Sequence, residues 1–146
     1  MQDKINIAFP PVGLVLPHGE SMVLLDKILF HKANKTNCLV VIKRDALFSD
    51  ETGKVATWVG LEYMAQCVAV HAGLIAKSKG EDIKIGYWIG SRKISFDTDF
   101  FHQNQALIIK TNKVWQDAQL GSFECSIIDK ISGNKLMGGL LSFFLP

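Results

Sequence analysis

A chain of 146 residues with no marked internal boundary fits one domain, because single cores serve chains of about 100 to 200 residues. Hydrophobic residues make up 48% of it and charged residues 21%, a balance that excludes a disordered chain. Its 16 basic and 14 acidic side chains are scattered, for a formal charge of +2, so no footprint for nucleic acid stands out.

No apolar run approaches the roughly 20 residues that span a bilayer, so no membrane span is predicted. The opening residues, 1–11, include Asp3 and lack a signal-type apolar stretch, and a cytoplasmic location is expected. Cys38, Cys67 and Cys125 are odd in number and far apart, which fits neither a disulfide framework nor a zinc site. Reduced thiols are expected.

In chain order, Pro10, Pro11 and Pro17 restrict residues 1–20 to turns and short helix. Residues 21–31 and 37–43, rich in Val, Leu and Ile, predict two strands joined by a polar hairpin turn at 32–36. Residues 44–54 are polar and predict a surface loop. The periodicity then changes. Val59, Tyr63, Gln66, Val70 and Leu74 recur at helical spacing, while Leu61, Met64, Val68 and Ile75 fill the other faces. This predicts a helix from about Trp58 to Lys77, apolar nearly all round and therefore wrapped by other structure. Thr57 is the predicted N-cap and Gly80 the predicted stop. After Gly80 four strands are predicted, at 83–96, 105–115, 121–129 and 135–145. Two strands, one long helix and four more strands make an α+β domain over residues 1–146, its buried helix laid across an antiparallel sheet.

Leu16-Pro17-His18, Leu61-Glu62-Tyr63-Met64-Ala65-Gln66 and Tyr87-Trp88-Ile89-Gly90, in that order along the chain, resemble motifs of the 3-hydroxyacyl-[acyl carrier protein] dehydratases of type II fatty acid synthesis. Leu16-Pro17-His18, followed by Met22-Val23-Leu24-Leu25-Asp26-Lys27-Ile28, is similar to that family's opening LPH…LLVDRV. Leu61-Glu62-Tyr63-Met64-Ala65-Gln66 is similar to its helix signature LEAMAQ, and Tyr87-Trp88-Ile89-Gly90 leading to Phe96 to its strand YFAGIDxARF. Trp58 to Gln66 resembles more closely the WVGxEYMAQ pattern of the divergent predicted dehydratases of aryl-polyene biosynthesis. The resemblance covers most of the chain. It implies a single hotdog domain, in which a curved antiparallel sheet of about five to six strands wraps the helix. It also implies a homodimer, or a heterodimer with a related dehydratase, with sites at the subunit interface. The implied substrate is a short or aryl-primed 3-hydroxyacyl thioester carried on the phosphopantetheine of an acyl carrier protein or on coenzyme A, with no other cofactor. One departure stands out: the family's GHFP histidine falls at Phe48, and no histidine lies between Arg44 and Gly60. Ala56 and Thr57 replace the family's proline-glycine at the helix start.

Removing water from a 3-hydroxyacyl thioester needs a base for the α-proton, an acid for the departing hydroxyl and donors at the carbonyl oxygen. Glu62, in the first helical turn, is the leading catalytic candidate; its plainer role is that of an acid near a helix N-terminus. His18 supplies an imidazole suited to take a proton near neutrality, or else it orders the turn at Pro17. Gln66, one turn after Glu62, is placed to hold the carboxylate or a loop backbone. The backbone N–H groups of Thr57 and Trp58, expected free at the helix start, are candidate oxyanion donors. The resemblance makes Tyr87 and Trp58 candidate tunnel residues. His71, half a turn out of phase with Glu62, is read as a core or interface residue. His31 and His102 have no partner at metal-ligand spacing, and no metal is predicted. The glycine-containing stretches 86–90 and 133–139 do not open a helix after a strand, so no nucleotide loop is indicated. Two other functions stay open. A hotdog thioesterase would use Glu62 to activate water or attack the thioester. A non-catalytic subunit would bind acyl carrier protein or complete an active dehydratase.

Overall fold

The computed structural model describes residues 9–19 and 22–146. Expectations that fall on residues 1–8, Glu20 and Ser21 lie outside the described residues.

Among the described residues, eight strands and one long helix follow in the order β1 (Lys27–Lys32), β2 (Lys35–Val41), β3 (Val55–Ala56), α1 (Gly60–Ser78), β4 (Tyr87–Phe96), β5 (Phe100–Phe101), β6 (Ala106–Asp117), β7 (Leu120–Asp129) and β8 (Lys135–Phe144). Six of the strands form one antiparallel sheet in the order β1-β2-β6-β7-β8-β4, and β3 pairs with β5 alone. The sheet curves around α1, which packs on β2, β6 and β7. This is the arrangement that the resemblance implies.

Alternation along the strands explains the wrap. Cys38 and Val40 of β2, Leu107 and Ile109 of β6, and Phe123, Cys125 and Ile127 of β7 all point inward and are buried. They meet Tyr63, Met64, Cys67, Val68 and Val70 of the helix in one core. Burying each large apolar side chain contributes roughly 1.5–3 kcal/mol, so the helix is held by packing rather than by its intrinsic propensity. By length and composition the segment Thr57–Ser78 would suffice to cross a membrane, which corrects the expectation that no run approaches that length. Here its apolar surface is largely covered by the sheet.

The ends of elements differ from the sequence expectation for identifiable reasons. Thr57 does not cap α1. It lies in a single 3-10 turn, Thr57–Val59, and α1 starts at Gly60 without a side-chain cap. The Thr57 N–H and hydroxyl both donate to the Asp99 carbonyl, at 3.1 and 3.2 Å. Gly80 does end the helix, with φ +69° and its N–H on the Lys77 carbonyl at 3.1 Å. β1 begins at Lys27 instead of residue 21, because Met22 and Leu24 direct their backbone groups to the Gln66 side chain and not to a neighbouring strand. Of the pair β3 and β5, the first falls on residues 55–56, to which no element was assigned, and the second between the predicted strands 83–96 and 105–115, since two residues are too few to show a period.

Candidate active site

The leading segment reaches the helix through Val15 and Leu16, both buried in the core. Helix residue Gly73 makes this possible: a Cβ there would collide with the Val15 carbonyl. Pinned in this way, the segment carries His18 to the N-terminal half of α1. His18 Nε2 lies 3.7 Å from Glu62 Oε2, with the two side chains 29% and 39% exposed. The sequence separates these groups by more than 40 residues and does not disclose their contact.

Gln66 organises the pair from below. Its Nε2 donates to Glu62 Oε2 at 3.1 Å and to the Met22 carbonyl at 2.7 Å, and its Oε1 accepts from the Leu24 N–H at 2.9 Å. Both expectations for Gln66, holding the carboxylate and holding a loop backbone, describe contacts that it makes. Fully buried, the amide behaves toward Met22 and Leu24 as a neighbouring strand would.

Glu62 and His18 open onto a cleft of about 230 Å³, whose other walls include Ala65, Ala69, Trp88 and Phe143. One carboxyl and one imidazole over a cleft whose remaining walls are mostly apolar, Lys84 apart, can exchange protons with a bound molecule while holding a hydrocarbon chain. Neither tunnel candidate lines this cleft. Tyr87 is not in these walls; it is exposed on β4 and its ring faces Phe144 at 6.4 Å. Strand neighbours point to opposite sides, and Trp88 takes the cleft position. Trp58 is exposed as well, its ring 6.3 Å from that of Phe48. Phe48 has φ +73°, a left-handed conformation that is uncommon for a bulky side chain. The Thr57 N–H is already committed to Asp99 and is not a free oxyanion donor.

A second polar cluster escaped the sequence reading. The Thr36 hydroxyl lies 2.8 Å from His31 Nδ1 and 2.7 Å from His71 Nδ1. His71 is buried, as expected, but only half satisfied: its Nε2 has no hydrogen-bond partner among the described residues. Burial first, then the neighbouring His31 and Lys113, push the His71 pKa down to about 4. Burial also lowers that of His31. A second cleft of about 270 Å³, with His71 in its wall, adjoins the first at Ala72, Lys84, Gly86 and Leu145, which line both. All three cysteines are buried; burial pushes the Cys125 thiol up to about 12 and raises that of Cys67 well above its ordinary value, which leaves both protonated and unreactive.

The sequence model of the ApeP-like family, described as ApeP dehydratase, matches residues 10–146. Among solved structures, the dehydratase heterocomplex ApeI:P from Xenorhabdus doucetiae is similar over 95% of this chain and 93% of that chain, at 31% identity and a TM-score of 0.88. Thioesterase superfamily member 2 from Mus musculus aligns over 82% of this chain and 81% of that chain, at 11% identity and a TM-score of 0.63. A hypothetical thioesterase with coenzyme A from Streptococcus pneumoniae aligns over 81% of this chain and 86% of that chain, at 15% identity and a TM-score of 0.62. At such identities the last two show the fold alone. No curated protein sequence matches the chain.

Proposed function

The chain belongs to the ApeP-like dehydratase family, and on that footing we propose that it removes water from a 3-hydroxyacyl thioester at the His18–Glu62 pair. It is a dehydratase-like hotdog protein, and the observation that carries the finer reading is the 3.7 Å approach of an imidazole to a carboxyl group over an apolar cleft. In the proposed reaction His18 Nε2 takes the α-proton as the carbon–carbon double bond forms. The carbon–oxygen bond breaks, and the departing hydroxyl takes a proton from the Glu62 carboxyl and leaves as water. The imidazolium then returns its proton to Glu62, across the short separation in the structure, and the starting state is restored. The elimination is redox-neutral and calls for no cofactor beyond the phosphopantetheine arm of an acyl carrier protein, or coenzyme A, that bears the substrate. Aryl-polyene assembly is the pathway class that the family likeness favours. Gln66 is a positioning residue in this scheme.

A partner subunit is the second part of the proposal. β4 is one of the two outer strands of the sheet, β1 being the other, and Ile85, Tyr87, Ile89 and Phe96 on or beside it are large apolar side chains in the open. A free edge of ten residues carrying such side chains suits pairing with another chain. The Xenorhabdus relative is described as a heterocomplex, and a related dehydratase is the partner we favour over a second copy. Phe48, standing where ordinary dehydratases carry histidine, supports a division of labour between unlike subunits. Incubation with a carrier-bound 3-hydroxyacyl thioester tests the activity: a 2-enoyl product supports the dehydratase, whereas free thiol without dehydration identifies a thioesterase.

A further inference from the structure

The outer face of the sheet, turned away from α1, carries a groove of about 750 Å³. It is larger than either cleft, and none of its lining residues lines a cleft. Strand register lays out its floor. Phe30, Asn37, Lys110, Ser126 and Gly138 stand opposite one another in a single row across β1, β2, β6, β7 and β8. At about 4.8 Å between neighbouring strands, the Lys110 backbone lies about 10 Å from Phe30 on one side and about 10 Å from Gly138 on the other.

Two irregularities aim side chains into this groove. Ile28 is buried, so regular alternation would turn Phe30 inward as well; the bulge between them leaves Phe30 on the outer face, 41% exposed. Lys93 lies in the bulge between Arg92 and Ser95 with φ +55°, a left-handed conformation uncommon outside glycine, and it lines the groove. Gly138 adds a third feature. A Cβ there would lie 2.9 Å from Lys135 Nζ, so the bare backbone lets that ammonium group lie over the row.

Lys35, Lys93, Lys110 and Lys135 thus line one groove, against a single carboxylate, that of Glu124. Among the described residues none of the four lysines forms an ion pair. Ammonium groups gathered in this way draw an anion of several charges, and phosphate is the anion that lysine suits. Phe30 at the end of the row offers a face on which a flat ring can stack, and the Asn37 amide between it and Lys110 can both donate and accept. A bare polyphosphate leaves Phe30 unused, and a nucleoside leaves the lysines unused.

We propose that this groove binds a nucleoside polyphosphate, with its base on Phe30, its sugar beside Asn37 and its phosphates running from Lys110 toward Lys135 and Lys93. A site built on strand side chains needs no glycine loop. The groove lies apart from the His18–Glu62 pair, and its ligand takes no part in the elimination.

The test is calorimetric titration of the full-length chain with ATP, UTP and tripolyphosphate, in the absence of magnesium. Both nucleotides are expected to bind, and to bind more weakly as salt rises. Lys110→Gln weakens all three probes about fivefold. Glu124→Gln removes the one repelling charge and tightens all three. Phe30→Ala weakens the nucleotides about tenfold and leaves tripolyphosphate unchanged. Each of these side chains is exposed, so the variants should fold. Absence of saturable binding by either nucleotide overturns the site, as does nucleotide binding that responds to neither charge substitution. Tripolyphosphate binding as tight as that of ATP, with no probe affected by Phe30→Ala, overturns the nucleotide as its ligand.

Discussion

Gln66 Nε2 donates to Glu62 Oε2 across 3.1 Å, one helical turn away, while the same amide ties down the backbone of Met22 and Leu24. The side chain that orients the carboxylate is thus also the one that fastens the segment following His18. Gln66→Met removes these bonds at little change in volume and leaves the Leu24 N–H and the Met22 carbonyl unpaired. We expect a loss of roughly 2–3 kcal/mol in urea unfolding, accompanied by loss of activity under conditions where the variant is folded. A change below about 0.5 kcal/mol would mean that water replaces the amide.

His71 makes stability depend on pH. In the fold it protonates near pH 4, against an ordinary value of 6.5, so the unfolded chain takes up the proton first as pH falls. The stability that neutral His71 allows is fully present above pH 6.5 and is lost progressively down to about pH 4, by on the order of 3 kcal/mol. His31 and Lys113, the groups that act on His71 alongside burial, add to the resistance against its charging. Wild type should lose stability relative to His71→Leu as pH falls through this window, and NMR should show one imidazole titrating near pH 4. Titration of His71 near pH 6.5 would contradict the account.

Gly73→Ala tests how His18 is delivered. The added methyl meets the Val15 carbonyl, a backbone atom fixed inside the core, so neither side yields cheaply. A loss of about 3 kcal/mol or more is expected, with His18 displaced from Glu62. Wild-type stability in this variant would show that the leading segment docks loosely.

Much of this arrangement was legible in the sequence, and the limits have physical causes. The spacing of four residues between Glu62 and Gln66 fixes their contact once a helix is assigned, because residues one turn apart share a face. The six long strands likewise follow from alternation and turn residues. His18 and Glu62 meet only through tertiary packing at Val15 and Gly73, which no local pattern encodes. Tyr87 and Trp88 differ by a single step of strand parity, and similarity to a motif does not reveal which of the two faces the cleft. Thr57 has the chemistry of a cap, but the Asp99 carbonyl claims its hydroxyl and N–H. His31 and His71 belong to different elements and are joined by Thr36 only after the sheet closes over the helix.

Ile89→Lys examines the outer strand. Ile89 is exposed on β4 and is absent from both cleft walls, so the substitution should leave the fold intact while preventing a second chain from adding to the edge. Sedimentation of the chain mixed with a related dehydratase should show a complex for wild type and separate subunits for the variant. A complex of unchanged size in the variant would remove β4 from the interface.

The most direct test is turnover of a carrier-linked 3-hydroxyacyl thioester by the purified full-length chain, followed by mass spectrometry for wild type, His18→Gln and Glu62→Gln. Both side chains stand partly exposed over the cleft, so the variants should fold. The account predicts loss of one water from substrate with wild type and a rate lower by about 10²- to 10⁴-fold in each variant. Absence of water loss in wild type both alone and mixed with a related dehydratase, or a rate that neither substitution changes, would contradict it.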